Sequence, residues 1–201
     1  MQTNVTAESL SAMKQNLPAA ASLLPLHLPF ASVGYACTSA SMVIGEDGVR
    51  DAVQATMPGV PVTNPFSALK AALAALGAER VGLVSPYSRA VSDKLRAALE
   101  GAGLTVPRML VFDEDEDPVV ARITPEAIRQ AMVDVGNDPA CEAVFASCTS
   151  LRACDVLGDV EGATGKPALC SNQVLAWHLM RLGGIEDRIA GFGRLFDCQL
   201  A

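Results

Sequence analysis

The chain has 201 residues, half of them hydrophobic and 18% charged, with mean hydropathy +0.30, the composition of a packed globular protein able to bury its own core. The net charge of −7 and only 15 scattered Lys and Arg residues argue against nucleic acid as a partner, because phosphate binding needs clustered cations. No apolar run reaches the roughly 18 residues of a membrane span, and MQTNVTAESLSAMK lacks the basic-then-apolar order of a secretion signal. The expected setting is therefore cytoplasmic, with no membrane association, a small-molecule partner, and a homo-oligomer left open. In a reducing compartment the six cysteines, Cys37, Cys141, Cys148, Cys154, Cys170 and Cys198, are expected to be thiols.

In chain order, a helix is expected from about Thr6 to Leu24 and a short buried strand from Val33 to Ala36. Asn64-Pro65 opens an Ala/Leu-rich helix that stops at Gly77. A strand follows over Arg80 to Val84, then a helix capped by Ser88 and ending before Gly101. The next pair is a strand over Thr105 to Phe112 and a helix from Thr124-Pro125 to Gly136. Strands over Ala143 to Ala146 and Pro167 to Leu169 come last, before a helix that begins after Ser171 and ends at Gly183-Gly184. Strand alternating with helix predicts an α/β fold with parallel sheet.

One element occurs twice. Val33-Gly-Tyr-Ala-Cys37-Thr38-Ser39 and Val144-Phe-Ala-Ser-Cys148-Thr149-Ser150 both read as a strand running into Cys-Thr-Ser and then a helix, 111 positions apart (148 minus 37). Two such halves predict a pseudo-twofold arrangement with the cysteines facing each other across a cleft. The division expected is 1–64 plus 171–201 for one half and 65–170 for the other. The second half has a strand ending in Ser85-Pro86-Tyr87 ahead of its tripeptide, and the first half has no counterpart, so the first half is expected to be N-terminally incomplete.

In parallel sheets ligands sit beyond the carboxyl ends of the strands, where both tripeptides fall. A cysteine opening a helix is expected to have its thiol pKa lowered by the helix N-terminus. The hydroxyls of Thr38, Ser39, Thr149 and Ser150, with adjacent backbone N–H groups, would cradle a carboxylate. Two thiols flanking a carbon next to a bound carboxylate can move a proton between its faces, or one can add to a double bond while the other manages the proton. That chemistry requires no metal or organic cofactor. The other four cysteines are expected to be structural.

The segments YACTSASMVIG, VPVTNPFSALKAALAALGAERVGLVSPY, FASCTSLR and GKPALCSNQVLAWHLMRLGG resemble the maleate cis-trans isomerase and arylmalonate decarboxylase branch of the aspartate/glutamate racemase superfamily, over about Val5 to Gly184. The resemblance implies two flavodoxin-like α/β halves, a cofactor-free site in the cleft between them, and catalytic roles for Cys37 and Cys148. It places Tyr87, Thr38, Ser39 and Thr149 around a substrate carboxylate. Decarboxylases of this branch keep only the second cysteine, whereas isomerases and racemases keep both, so the implied activity is isomerisation of a small carboxylate or dicarboxylate. By the same resemblance Cys37 is the nucleophile that adds to the double bond and Cys148 the acid/base. Racemisation of an amino acid or hydantoin, decarboxylation of an arylmalonate, and carboxylate binding without catalysis are the alternatives.

Two departures from the family pattern stand out. The initial strand with its Pro-Ser-Asn-Thr-like loop has no counterpart here. The loop that carries a substrate-contacting asparagine in maleate isomerases reads Asp113-Glu-Asp-Glu-Asp117. By composition that run is expected to be a solvated acidic turn and not a cation site. His27 and His178 are expected to be structural. Glu161 to Lys166 and Gly191-Phe-Gly193 fall short of phosphate-loop and dinucleotide fingerprints. Arg152 is a residue that could steer an anion.

Overall fold

The computed structural model describes residues 7–201 apart from Asp115, with side chains from Ala12 onward. Helix α1 (Ala7–Ala21) leads through a loop to β1 (Val33–Gly34), α2 (Thr38–Ile44), α3 (Glu46–Gln54) and β2 (Val62–Thr63). Then follow α4 (Pro65–Leu76), β3 (Val81–Tyr87), α5 (Arg89–Gly101), β4 (Met109–Glu114), α6 (Asp117–Val120) and α7 (Pro125–Gly136). Strand β5 (Ala143–Ala146), α8 (Leu157–Thr164), β6 (Ala168–Cys170) and α9 (Ser171–Leu182) complete the order. Among the described residues no helix is long and apolar enough to cross a membrane.

The strands form two parallel sheets, a small one of β1 and β2 and a larger one in the order β4-β3-β5-β6, so the predicted α/β class is the observed one. Strand β5 shows how the larger sheet is held. Ala143 and Phe145 point into a core shared with α4, α5 and α9, while Val144 and Ala146 point into a second core shared with α7 and α8. Both faces are covered by helices, which is why the strand reads as an unbroken apolar run.

Local chemistry explains the element boundaries. Asn64 accepts from the N–H groups of Phe66 and Ser67, and Gly77 closes the same helix at φ 65°, the conformation glycine adopts without steric cost. Thr124 caps α7 through the Ala127 N–H. Ser88 precedes α5 as expected but makes no side-chain cap bond.

Helix α1 ends at Ala21 instead of Leu24, because the N–H groups of Leu23 and Leu24 bond three residues back and Pro25 cannot continue a helix. The predicted start at Thr6 lies outside the described residues. Strand β4 begins at Met109, later than Thr105, which makes only an isolated bridge to Arg80; Pro107 between them has no N–H for a ladder. Strand β3 runs on to Tyr87 with a register shift between Ser85 and Tyr87, where Pro86 interrupts the ladder. That extension carries Tyr87 to the carboxyl end of the sheet.

Candidate active site

The carboxyl ends of β1, β3, β4, β5 and β6 converge on one region, the position where open parallel sheets hold ligands. Beyond β1 the chain passes through Tyr35 and Ala36 to Cys37, which precedes α2 in extended conformation. Beyond β5 it passes through Ser147 to Cys148, which has φ 109°. A non-glycine residue in that region costs about 1–3 kcal/mol and persists only where its surroundings enforce it.

The two Cys-Thr-Ser elements are tied together. Ser171, the first residue of α9, accepts hydrogen bonds at its Oγ from the Thr38 hydroxyl (2.8 Å) and the Cys148 N–H (3.0 Å). The Thr149 hydroxyl donates to the Ala36 carbonyl (3.1 Å). A third connection runs through Tyr87, whose hydroxyl lies 2.9 Å from Cys148 Sγ. The Ser150 N–H donates to Cys148 Sγ (3.2 Å). All seven residues named from the sequence thus lie in one region.

The hydroxyls of Thr38 and Thr149 are already engaged within the protein. Thr38 and Thr149 serve to close the two elements on each other, and Ser150 approaches Cys148 through its backbone. Ser171 has no role in the sequence reading, although it follows the β6 strand as the tripeptides follow theirs.

The electrostatics correct one expectation. Burial pushes both thiols up, not down. For Cys37 burial is the largest cause, and the Cys148 and Asp117 charges add to it, while the Ala40 N–H and Tyr35 oppose it. For Cys148 burial again leads, opposed by Tyr87 and Ser150 and assisted by Asp117. Helix α2 has seven residues, and the pull of its N-terminus does not offset the desolvation of a sulfur anion. Tyr87 is raised even further, first by burial and then by Cys148, so it stays a neutral hydrogen-bonding group.

Asp117 is the second residue that sequence reasoning misses. It opens α6 at the end of the acidic run, and its Oδ1 is buried with no hydrogen-bond partner among the described residues. Burial raises its carboxyl. The run is therefore not wholly a solvated turn: Asp113 is exposed, with its carboxylate accepting from the Arg89 N–H, but Asp117 turns one oxygen inward.

The remaining candidates lie elsewhere. His178 Nδ1 is 2.7 Å from the Thr63 hydroxyl, and His27 is exposed. Lys166 donates to the carbonyls of Gly136 and Asp138, a structural tie and not a phosphate contact. Arg152 is exposed. Cys154 and Cys170 place their sulfurs 3.5 Å apart, and all six cysteines are free thiols.

Comparison with known proteins agrees with the fold. The model of the arylmalonate decarboxylase family matches residues 28–196. An arylmalonate decarboxylase of Bordetella bronchiseptica is 30% identical over 142 residues, 69% of this chain and 59% of that protein. A maleate isomerase of Nocardia farcinica is 27% identical over 168 residues, 80% of this chain and 67% of that one. The structure of a serine-for-cysteine mutant of the Nocardia farcinica maleate cis-trans isomerase, which holds a covalent succinylcysteine intermediate, superposes with a TM-score of 0.88 at 25% identity, covering 97% of this chain and 82% of that one. With the fold and these likenesses in agreement, the chain belongs to the arylmalonate decarboxylase family.

Proposed function

We propose that the protein is a cofactor-independent isomerase that uses Cys37 and Cys148 on a small carboxylate, by the chemistry of a maleate isomerase. The observation that carries this reading is the direct connection between the two Cys-Thr-Ser elements through Ser171 and Thr149, with Tyr87 on the second cysteine. Two thiols held in one buried region beside hydroxyl and amide donors supply a nucleophile and a proton carrier without a metal or coenzyme.

In this reading Cys37, as thiolate, adds to one alkene carbon and forms a C–S bond. The π pair moves to the other carbon, is delocalised into the adjoining carboxylate, and takes the proton of the Cys148 thiol. The C–C bond is now single and rotates. Cys148 then removes the proton, the double bond re-forms, and the C–S bond breaks to return the Cys37 thiolate. Tyr87 and the Ser150 N–H hold Cys148, and Thr38, Ser39, Thr149 and Ser150 line the carboxylate subsite. The succinylcysteine reported for the Nocardia farcinica enzyme is the kind of adduct that this sequence produces from maleate.

The halves 1–64 plus 171–201 and 65–170 are proposed as the two walls of the cleft. Six free thiols fit a reducing compartment such as the cytoplasm.

The test is proton NMR in heavy water with maleate, comparing the wild type with Cys37→Ala and Cys148→Ala. Fumarate formed by the wild type and lost in both variants, with unchanged circular dichroism, is the expected result. Wild-type rates in either variant would remove that cysteine from the mechanism. The same paired thiols favour racemisation as the second reading, which predicts α-deuteration of an amino acid with no change in any alkene.

A further inference from the structure

A second pair of thiols lies beside the site and takes no part in the isomerase chemistry. Cys154 and Cys170 place their sulfurs 3.5 Å apart, and among the described residues no other two cysteine sulfurs are in hydrogen-bond contact. A disulfide holds its sulfurs about 2.05 Å apart, so oxidation of this pair needs an approach of about 1.5 Å.

The two members are held differently. Cys170 closes β6, where it pairs with Ala146; it is 1% exposed, and its N–H donates to the Gln173 side chain (3.3 Å). Cys154 is half-buried and opens a single 3-10 turn, Cys154–Val156, outside any strand. The accessible and movable sulfur is therefore that of Cys154, and the shielded, fixed one that of Cys170. Proton sharing between them has the same polarity. The Cys170 thiol holds Cys154 below the ordinary thiol range, against burial and the Asp155 charge, while the same bond and then burial push Cys170 well up. The thiolate, the form that peroxides oxidise, thus falls on the exposed member, with a second thiol next to it.

Both members connect to the catalytic region. The chain from Cys148 to Cys154 carries Thr149 and Ser150, and Cys170 immediately precedes Ser171, whose Oγ accepts from the Thr38 hydroxyl and the Cys148 N–H. In a reducing compartment the disulfides that do form are transient and act in catalysis or redox sensing.

We infer that Cys154 and Cys170 form a reversible oxidation site beside the paired Cys-Thr-Ser elements, with Cys154 the thiol that a hydroperoxide oxidises and Cys170 the thiol that resolves it. The Cys154 thiolate attacks a peroxide oxygen: an S–O bond forms, the O–O bond breaks, and the leaving oxygen takes a proton to depart as water or an alcohol. Cys154 is then a sulfenic acid. The Cys170 sulfur attacks the Cys154 sulfur, the S–S bond forms as the S–O bond breaks, and hydroxide leaves with the Cys170 proton as water. Two electrons pass from the thiol pair to the peroxide, and an external dithiol returns them by exchange. The new bond draws the far end of the Cys148 loop toward β6, and a misplacement of about 1 Å at reacting groups can cost up to about 100-fold in rate. This consequence for turnover rests on the isomerase reading; the oxidation site itself does not.

The experiment titrates the reduced protein with hydrogen peroxide and maps every cysteine by peptide mass spectrometry, with dimedone present to trap sulfenic acid. In the wild type a Cys154–Cys170 disulfide is expected at lower peroxide than oxidation of Cys37 or Cys148, and dithiothreitol removes it. Cys170→Ala is expected to accumulate the dimedone adduct on Cys154, and Cys154→Ser to leave Cys170 a free thiol at the same dose. Maleate turnover by the wild type is expected to fall by about tenfold or more as the disulfide forms and to recover on reduction. Cys154→Ser, with unchanged circular dichroism, keeps its rate under the same treatment. No bond between Cys154 and Cys170, or a Cys154 no more reactive than Cys141 and Cys198, overturns the site. A disulfide-bonded wild type with undiminished turnover overturns its effect on the catalytic thiols. If the reduced wild type leaves maleate unchanged, the isomerase reading fails while the peptide masses still decide the oxidation site; equal alkylation rates of Cys37 in reduced and oxidised protein then overturn the effect on the catalytic thiols, and unequal rates sustain it.

Discussion

Cys37 and Cys148 share a tripeptide but not an environment. Cys37 is half-buried and sits in ordinary extended backbone, whereas Cys148 is 2% exposed with φ 109°. The unusual backbone turns the Cys148 sulfur toward both Tyr87 and the Ser150 N–H, and that contact set differs from the one around Cys37. Because burial and then the Cys148 and Asp117 charges raise the Cys37 thiol, its thiolate, the reactive form, becomes abundant only at high pH. In a Cys148→Ala background, alkylation of Cys37 read peptide by peptide is expected to have its midpoint above about pH 8.5, the value of an unperturbed thiol. Replacing Asp117 by Asn removes a negative charge that disfavours the thiolate, so the midpoint moves to lower pH. A midpoint below the ordinary thiol value would mean that the α2 N-terminus and Tyr35 outweigh burial.

At the scale of elements, the site depends on how closely α7 packs on β3. Gly82 has no side chain, and a Cβ built there would collide with Val135 Cγ1 and come within 3.0 Å of Cys141 Sγ. Its backbone needs no special conformation, so the requirement is for space alone. Gly82→Ala is expected to destabilise the protein by about 1–3 kcal/mol, the usual cost of overpacking, measured as a shift of the urea midpoint. Val135→Ala in the same chain should recover part of the loss by opening room. Additive losses in the double variant would show that α7 does not set the limit. Strand β3 is the central element of the site: it pairs with β4 and β5 and ends in Tyr87, so a displacement of α7 would be felt at the Cys148 sulfur.

Across the whole molecule, the chain after α9 returns over the core and is held by one buried cation. Arg181 donates to the carbonyls of Cys198, Ile185, Asp187 and Phe196, and Trp177 donates to the same Cys198 carbonyl. Helix α9 therefore links the C-terminal segment to the site, since its first residue is Ser171 and its body packs against α4, β1 and β2. Arg181→Ala strips a donor from four carbonyls and is expected to cost about 2–5 kcal/mol. Chemical denaturation followed by Trp177 fluorescence would measure it. A loss below about 1 kcal/mol would show that the segment is held by the packing of Leu195 and Phe196 instead.

The sequence by itself determined the α/β class, the helix ends at Asn64, Gly77 and Thr124, and the recurrence of Cys-Thr-Ser after two strands, because caps, glycine stops and apolar runs act over a few neighbouring residues. Tertiary structure alone decided the rest. Ser171 joins the site because the order β4-β3-β5-β6 sets the end of β6 beside the end of β5, a proximity that no local pattern encodes. Asp117 is chemically identical to its acidic neighbours on paper and differs only in the burial of one oxygen. The thiol pKa values rise where a helix start led to the expectation of a fall, because desolvation depends on everything packed around the sulfur and a helix N-terminus only on the turn beside it.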